Sequence, residues 1–319
     1  MPAGFADSPR KRTVRELWNT PLLKTVHNAL GSQYFYCGLP GRDILDIRLW
    51  KDMIRRIIAF EVENPARDNP REDVVALSRN LSLIGIPHKV YCGHMETTVL
   101  LGRDDDGEPF EQDELITLYN LDFCNAITGR IETSEGRRCL RFEALRHLLS
   151  LQRARFLESG ESRFILLLTI RDEFRAREMQ SFIDDCEKPQ AVADFLSGLP
   201  TLPQLAEGRM HSSTLHLKAF VFTTLRAYCR GHNVASLFLP PVRYVGRTSR
   251  SPMVHFTVLC RFRPVDNALP QEVQEAGDFL ARASLRATDT ELRIEPCGAV
   301  ETDASQFDDA ASAVAFLQN

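Results

Sequence analysis

Tyr34-Phe35-Tyr36-Cys37-Gly38-Leu39-Pro40-Gly41 is an apolar run that ends in two glycines, and a helical pattern begins directly after it at Asp43, with Ile44, Ile47, Trp50 and Ile54 at helical spacing. Strand, tight glycine turn and helix in that order bring backbone N–H groups up to a small polar ligand. A second apolar run, Ile57-Ile58-Ala59-Phe60, follows and ends in Glu61. A carboxylate at the end of the next strand can accept hydrogen bonds from two vicinal hydroxyls of a ribose. Together the two features predict a nucleoside-containing ligand.

The same alternation continues outward. Val74, Leu77, Leu81 and Ile84 form a helical stripe stopped by Gly85 and Pro87, and Lys89-Val90-Tyr91-Cys92 is a third strand. An acidic loop over 104–113 leads to a fourth strand, Leu115 to Leu121, followed by Asp122-Phe123-Cys124-Asn125. After a helix over 142–158, the run 163–170 is apolar enough for a buried central strand. Strands alternating with helices predict a mostly parallel sheet covered on both faces. Residues 171–210, punctuated by Pro189, Pro200 and Pro203, read as an insertion, and a helix over 216–228 follows. Two strands then come with no helix between them, Val242-Arg243-Tyr244-Val245 and the run 253–260. Their connector is too short for a parallel crossover, so the pair is expected to be antiparallel.

Ahead of the first strand, Val14, Leu17, Trp18, Leu22, Leu23, Val26 and Leu30 mark an amphipathic leading helix. Beyond Pro264 a helical stretch over 273–287 and an acidic tail close the chain. The expected division is an N-terminal helical extension (1–32), a main domain (33–263, with its insertion at 171–210) and a C-terminal extension (264–319).

With 319 residues, 44% of them hydrophobic, the chain can bury a large core. A net charge of -4 gives no whole-chain drive toward polyanions. No apolar run reaches the roughly 20 residues of a membrane-spanning helix. The start of the chain lacks a basic-then-apolar signal pattern, which points to the cytoplasm. The eight cysteines, Cys37, Cys92, Cys124, Cys139, Cys186, Cys229, Cys260 and Cys297, include no CxxC pair and no Cys/His cluster at zinc spacing, so no metal is expected.

Five α/β units closed by an antiparallel strand pair resemble the class I S-adenosylmethionine-dependent methyltransferase superfamily over roughly residues 33–263. That family has a Rossmann-like seven-stranded sheet whose last strand is inserted antiparallel between the fifth and sixth. A nicotinamide-binding domain fits the Glu61 spacing, but its three glycines and sixth parallel strand do not match. The resemblance implies S-adenosylmethionine as cofactor. Its glycine-rich turn, which carries the methionine part, maps to Gly38, Leu39, Pro40 and Gly41, flanked by Tyr36 and Cys37; the acidic residue expected within that strand is absent. The ribose carboxylate maps to Glu61, with Glu63 as substitute. The adenine region maps to His94, Met95 and Glu96. The segment facing the methyl group maps to Asp122-Phe123-Cys124-Asn125, where the resemblance assigns catalytic roles to Asp122 and Asn125. The Asp/Asn-Pro-Pro-Tyr of amino-methyltransferases and the Pro-Cys of pyrimidine C5 methyltransferases are both missing there. Methyl transfer needs little acid–base help once acceptor, methyl and sulfur are aligned.

Two basic groups bear on the acceptor. Arg10, Lys11, Arg12 and Arg15 form an N-terminal arm, and Arg243, Arg247 and Arg250 cluster around the terminal hairpin. Both can hold phosphates, which makes a nucleic acid or nucleotide the leading acceptor. The rival expectation is a non-catalytic member of the fold, acting as a partner or scaffold for another protein.

Overall fold

The computed structural model describes residues 9–127, 129–133, 136–159, 161–172, 212–245, 252–263 and 305–318. A seven-stranded sheet organises them, in the order β3-β2-β1-β4-β7-β9-β8. The strands are β1 (Tyr34–Gly38), β2 (Ile54–Glu61), β3 (His88–Cys92), β4 (Leu118–Ala126), β7 (Arg163–Arg171), β8 (Val234–Val245) and β9 (Pro252–Phe262). A separate two-stranded hairpin, β5 (Ile131–Thr133) and β6 (Gly136–Arg138), follows β4. Pairings among β1, β2, β3, β4 and β7 are all parallel, whereas β9 runs antiparallel to both β7 and β8. The one reversed strand therefore lies between the fifth strand of the parallel set and the last crossover strand, as the short connector requires.

Both faces of the sheet are covered because its strands are apolar on both sides. Phe35 and Cys37 face one core, into which α5 (Met95–Leu101), α6 (Arg141–Ser159) and α7 (Ser212–Gly231) send Met95, Phe142, Leu145 and Leu217. Tyr34 and Tyr36 face the other, built with α2 (Thr20–Leu30), α3 (Leu45–Trp50), α4 (Glu72–Ile84) and α8 (Ser305–Gln318) through Leu23, Ile47, Leu77 and Leu317. A short helix α1 (Pro9–Thr13) and a π-helical turn (Val14–Asn19) run directly into α2. Among the described residues no helix is long and apolar enough to cross a membrane.

The structure shifts several expected boundaries: β8 starts at Val234 rather than Val242, and Ile54 opens β2 rather than continuing the helix before it. β4 begins at Leu118 rather than Leu115, because the backbone of Ile116 is held instead by the Gln152 side chain, which donates to its carbonyl at 2.5 Å and accepts from its N–H at 2.9 Å. β4 also runs on to Ala126, so Asp122, Cys124 and Asn125 lie within it, not beyond it. The first helix after the glycine turn starts at Leu45, since Ile44 adopts a left-handed conformation (φ 48°) and breaks the path from Asp43. The leading helix has three consecutive parts. The hairpin β5–β6, α5 and α8 stand where no element is expected from sequence. The insertion beyond Asp172, the hairpin connector 246–251 and the stretch 273–287 lie outside the described residues.

Candidate functional site

Parallel strands bring their carboxyl ends to one edge, which is where open α/β sheets bind ligands. That edge gathers the Gly38–Gly41 turn, Glu61, the β3 end at Gly93 and His94, and the end of β4. Gly38 is required there by a close approach: a Cβ would lie 2.3 Å from the backbone oxygen of Asn120, to which Leu39 N–H donates at 3.0 Å. Gly41 has φ +64°, a left-handed conformation that glycine adopts without strain.

Tyr36 stands two residues before Gly38, where the sequence lacks an acid, and is fully buried. A carboxylate of α3, Asp46, lies nearby. Asn120 Nδ2 donates to Asp46 Oδ2 at 2.6 Å and to the Tyr36 hydroxyl at 3.3 Å, joining β1, β4 and α3 beneath the turn. Burial raises the Asp46 carboxyl above its usual range; the Arg15 guanidinium acts against that and Asp122 adds to it. Neither Asp46 nor Asn120 is marked in the sequence. Asp46 lies one helical turn past the glycines, and Asn120 sits inside an apolar strand, which is the one sign of either.

Glu61 closes β2 and is half-buried. Its carboxylate accepts from the Val62 N–H at 3.1 Å, and among the described residues no cation pairs with it. Its pKa is pushed up to about 7, chiefly by loss of solvent, with Asp73 adding to the shift and the Val62 hydrogen bond and Arg67 opposing it. Glu63 lies further out, paired with Arg71 at 3.3 Å.

The adenine-region residues separate. His94 is exposed just before α5, whereas Met95 and Glu96 turn into the core. Glu96 Oε1 accepts from Arg141 Nε at 2.9 Å, both side chains almost fully buried. Arg141 also donates to the Ala126 carbonyl and lies 4.5 Å from the centre of the Phe123 ring. This pair fastens the end of β4, where Phe123, Cys124 and Asn125 bulge out of register between Asp122↔Thr169 and Ala126↔Arg171. Beside it, Asp105 packs its carboxyl group against Gly93 (φ +125°), and Asp104 caps the loop by accepting from Cys92, Asp106 and Glu108 N–H groups.

At the β4 end Asp122 is half-buried and Asn125 exposed. Asp122 Oδ2 pairs with Lys11 Nζ at 2.5 Å, and Asp46 Oδ1 accepts from Arg15 Nε. The N-terminal segment thus crosses the carboxyl edge. It is anchored further by Asn19 Oδ1, 2.9 Å from His255 Nε2. An amide oxygen can only accept, so Nε2 carries the proton and Nδ1 accepts from the Thr169 hydroxyl at 2.8 Å. Burial lowers the His255 pKa to about 4, so the ring is neutral. Of the basic groups, Lys11 and Arg15 are therefore engaged with carboxylates, and Arg243 pairs with Asp172 at 2.6 Å. Arg12 is exposed, and Arg247 and Arg250 lie outside the described residues.

No protein-family model and no curated protein matches this sequence. Solved structures to which the chain is similar include N-methyltransferase NodS from Bradyrhizobium japonicum, with 9% identity over 81% of this chain and 99% of that one, at a TM-score of 0.37. An rRNA methylase from Streptococcus thermophilus matches with 13% identity over 76% and 96% of the two chains, at a TM-score of 0.35. Magnesium protoporphyrin IX methyltransferase from Synechocystis matches with 9% identity over 78% and 83%, at a TM-score of 0.35. Likenesses this distant say nothing of substrate, and the strand order stands without them. That order, with its single reversed strand between β7 and β8, is the class I methyltransferase-like, Rossmann-like fold.

Proposed function

We propose that the protein is an S-adenosylmethionine-dependent methyltransferase whose cofactor lies along the carboxyl edge of the sheet. The observation that carries this reading is Glu61: a half-buried carboxylate at the end of β2, without an ion-pair partner among the described residues, beside the glycine turn on β1. Two vicinal hydroxyls are what such a carboxylate lacks, and hydrogen bonds to a charged acceptor are the strong kind. The Gly38–Gly41 turn would lie under the methionine end, with Asn120, Tyr36 and Asp46 holding it from below. His94 borders the adenine end; Met95 and Glu96 support it from the core.

When bound, S-adenosylmethionine supplies an electrophilic methyl group. Asp122 would accept a hydrogen bond or proton from the acceptor, and Asn125 would orient it through its amide. The acceptor class, a nucleic acid or nucleotide, rests on the sequence of the arm and the hairpin alone, whose Lys11, Arg15 and Arg243 are engaged with carboxylates here. The test is transfer of radiolabelled methyl groups into DNA, RNA and total-protein extracts. Asp122→Ala is expected to lower incorporation about a hundredfold or more, measured at saturating S-adenosylmethionine. Equal incorporation by the two proteins would remove the role given to Asp122.

One observation favours the rival reading, a non-catalytic partner or scaffold protein. The carboxylates nearest the methionine end, Asp46 and Asp122, are already engaged by Arg15 and Lys11. No incorporation by the wild type, together with no cofactor binding, would make that reading the better one.

A further inference from the structure

Lys11, Arg15 and Asn19 are spaced four residues apart and meet three polar groups of the carboxyl edge in order: Asp122 on β4, Asp46 on α3 and His255 on β9. The segment is also held by apolar contact, since Val14 packs with Val242, Tyr244 and Met253, and Trp18 lies against them. At its far end Thr20 accepts from Trp50 Nε1 at 2.8 Å and donates to the Arg15 carbonyl. A segment docked this way has a defined seat. Its two cations are delivered to the two carboxylates that flank the glycine turn.

S-adenosylmethionine carries two positive charges at its methionine end, an ammonium and a sulfonium, beside one carboxylate. We propose that Asp46 and Asp122 form a cation-binding pair for those two charges, and that Lys11 and Arg15 are their built-in stand-ins, so residues 9–19 compete with the cofactor for its own site. This rests on the cofactor reading given above. The geometry argues for competition rather than cooperation. A carboxylate whose oxygen is taken by a lysine or arginine at hydrogen-bond range has lost most of its attraction for a second cation. The segment also lies across the approach from β4 and β9. Binding then requires residues 9–19 to lift, and the ammonium and sulfonium replace the two side chains charge for charge. The demethylated product, a neutral thioether, replaces only one of them.

The test compares the wild type with Lys11→Met/Arg15→Met, which keeps the apolar stems and removes both charges, by calorimetric titration with S-adenosylmethionine and with S-adenosylhomocysteine. The double variant is expected to bind S-adenosylmethionine tenfold or more tightly than the wild type, with a smaller gain for S-adenosylhomocysteine. Trp18→Ala, which loosens the apolar seat without touching either charge pair, should raise affinity several-fold. In the wild type, bound S-adenosylmethionine should shift tryptophan emission to the red, and Trp18→Phe should abolish that shift, because Trp50 is buried in the core. Equal or weaker binding by the double variant would overturn this inference and leave the cofactor reading standing. Absence of binding to the wild type and to both loosened variants would remove the cofactor reading, and this inference with it.

Discussion

Arg141→Met is expected to destabilise the protein by about 3–5 kcal/mol, the cost of leaving one member of a buried ion pair without its partner. Glu96 and Arg141 are both almost fully buried, and their N–O distance of 2.9 Å is that of a charge-assisted hydrogen bond. Without the guanidinium, the Glu96 carboxylate is enclosed with no cation, the Ala126 carbonyl loses its donor and the Phe123 ring loses the planar group above it. Replacing both partners by methionine removes the stranded charge, so the double variant should cost much less than the sum of the single changes. Urea unfolding of the four proteins reads this directly as a coupling energy. Additive single costs would show that the pair does not act as a unit. Because Arg141 also fastens the bulge that carries Asn125, the single variant should lose activity by disordering the β4 end, with ribose-side contacts at Glu61 unaffected.

Glu61→Gln is expected to stabilise the protein at pH 8 by about 2–3 kcal/mol and to leave it unchanged near pH 4. The folded carboxyl has its pKa raised from 4.5 to about 7 by loss of solvent, so between those values the folded chain keeps a proton that the unfolded chain has released. Stability from this group is therefore full at low pH, falls as pH rises through that window and levels off above about 7. The glutamine amide has no proton to lose, and the slope disappears. A strand-end carboxylate read from sequence alone is expected to leave stability unchanged; desolvation that the more distant Arg67 only partly offsets is what reverses that expectation. Ligand binding should carry the opposite cost: affinity for S-adenosylmethionine should rise with pH through about 7 in the wild type, where the ionised form accepts the hydroxyls. In the glutamine variant it should be weak and flat. Unfolding curves of the two proteins that run parallel from pH 4 to pH 8 would contradict the assignment of a desolvated carboxylate without an ion-pair partner.

Much of this fold is legible in the residues, for reasons that can be named. The glycine turn declares itself through Gly38, which must be small because the Asn120 carbonyl lies against it. The reversed strand is fixed by a connector too short to cross the sheet, and β7 by its uninterrupted apolar run. Less legible are features made by tertiary contacts. The start of β4 depends on Gln152, 36 residues away in sequence, replacing ladder bonds at Ile116. The short helix α5 carries too few turns for a periodic signal, yet it buries Met95 and Glu96, which separates them from exposed His94.

The site follows the same division. Glu61 and the Gly38–Gly41 turn are recognisable because strand ends and turns are local. Asp46 reaches the end of β1 through Asn120, but only folding α3 back beneath Tyr36 brings it there. The N-terminal basic residues read in sequence as a phosphate-binding arm. Two of them instead meet carboxylates at the sheet edge, a long-range pairing that no local pattern encodes.

The central claim, that the carboxyl edge of this sheet holds S-adenosylmethionine with Glu61 on its ribose, is tested most directly by calorimetric titration of the wild type, of Lys11→Met/Arg15→Met and of Glu61→Ala with S-adenosylmethionine and NAD. A single site for S-adenosylmethionine is expected in the first two proteins, none for NAD, and a loss of about 2–3 kcal/mol of binding in Glu61→Ala. No binding of S-adenosylmethionine to either of the first two, or binding that Glu61→Ala leaves unchanged, would contradict it.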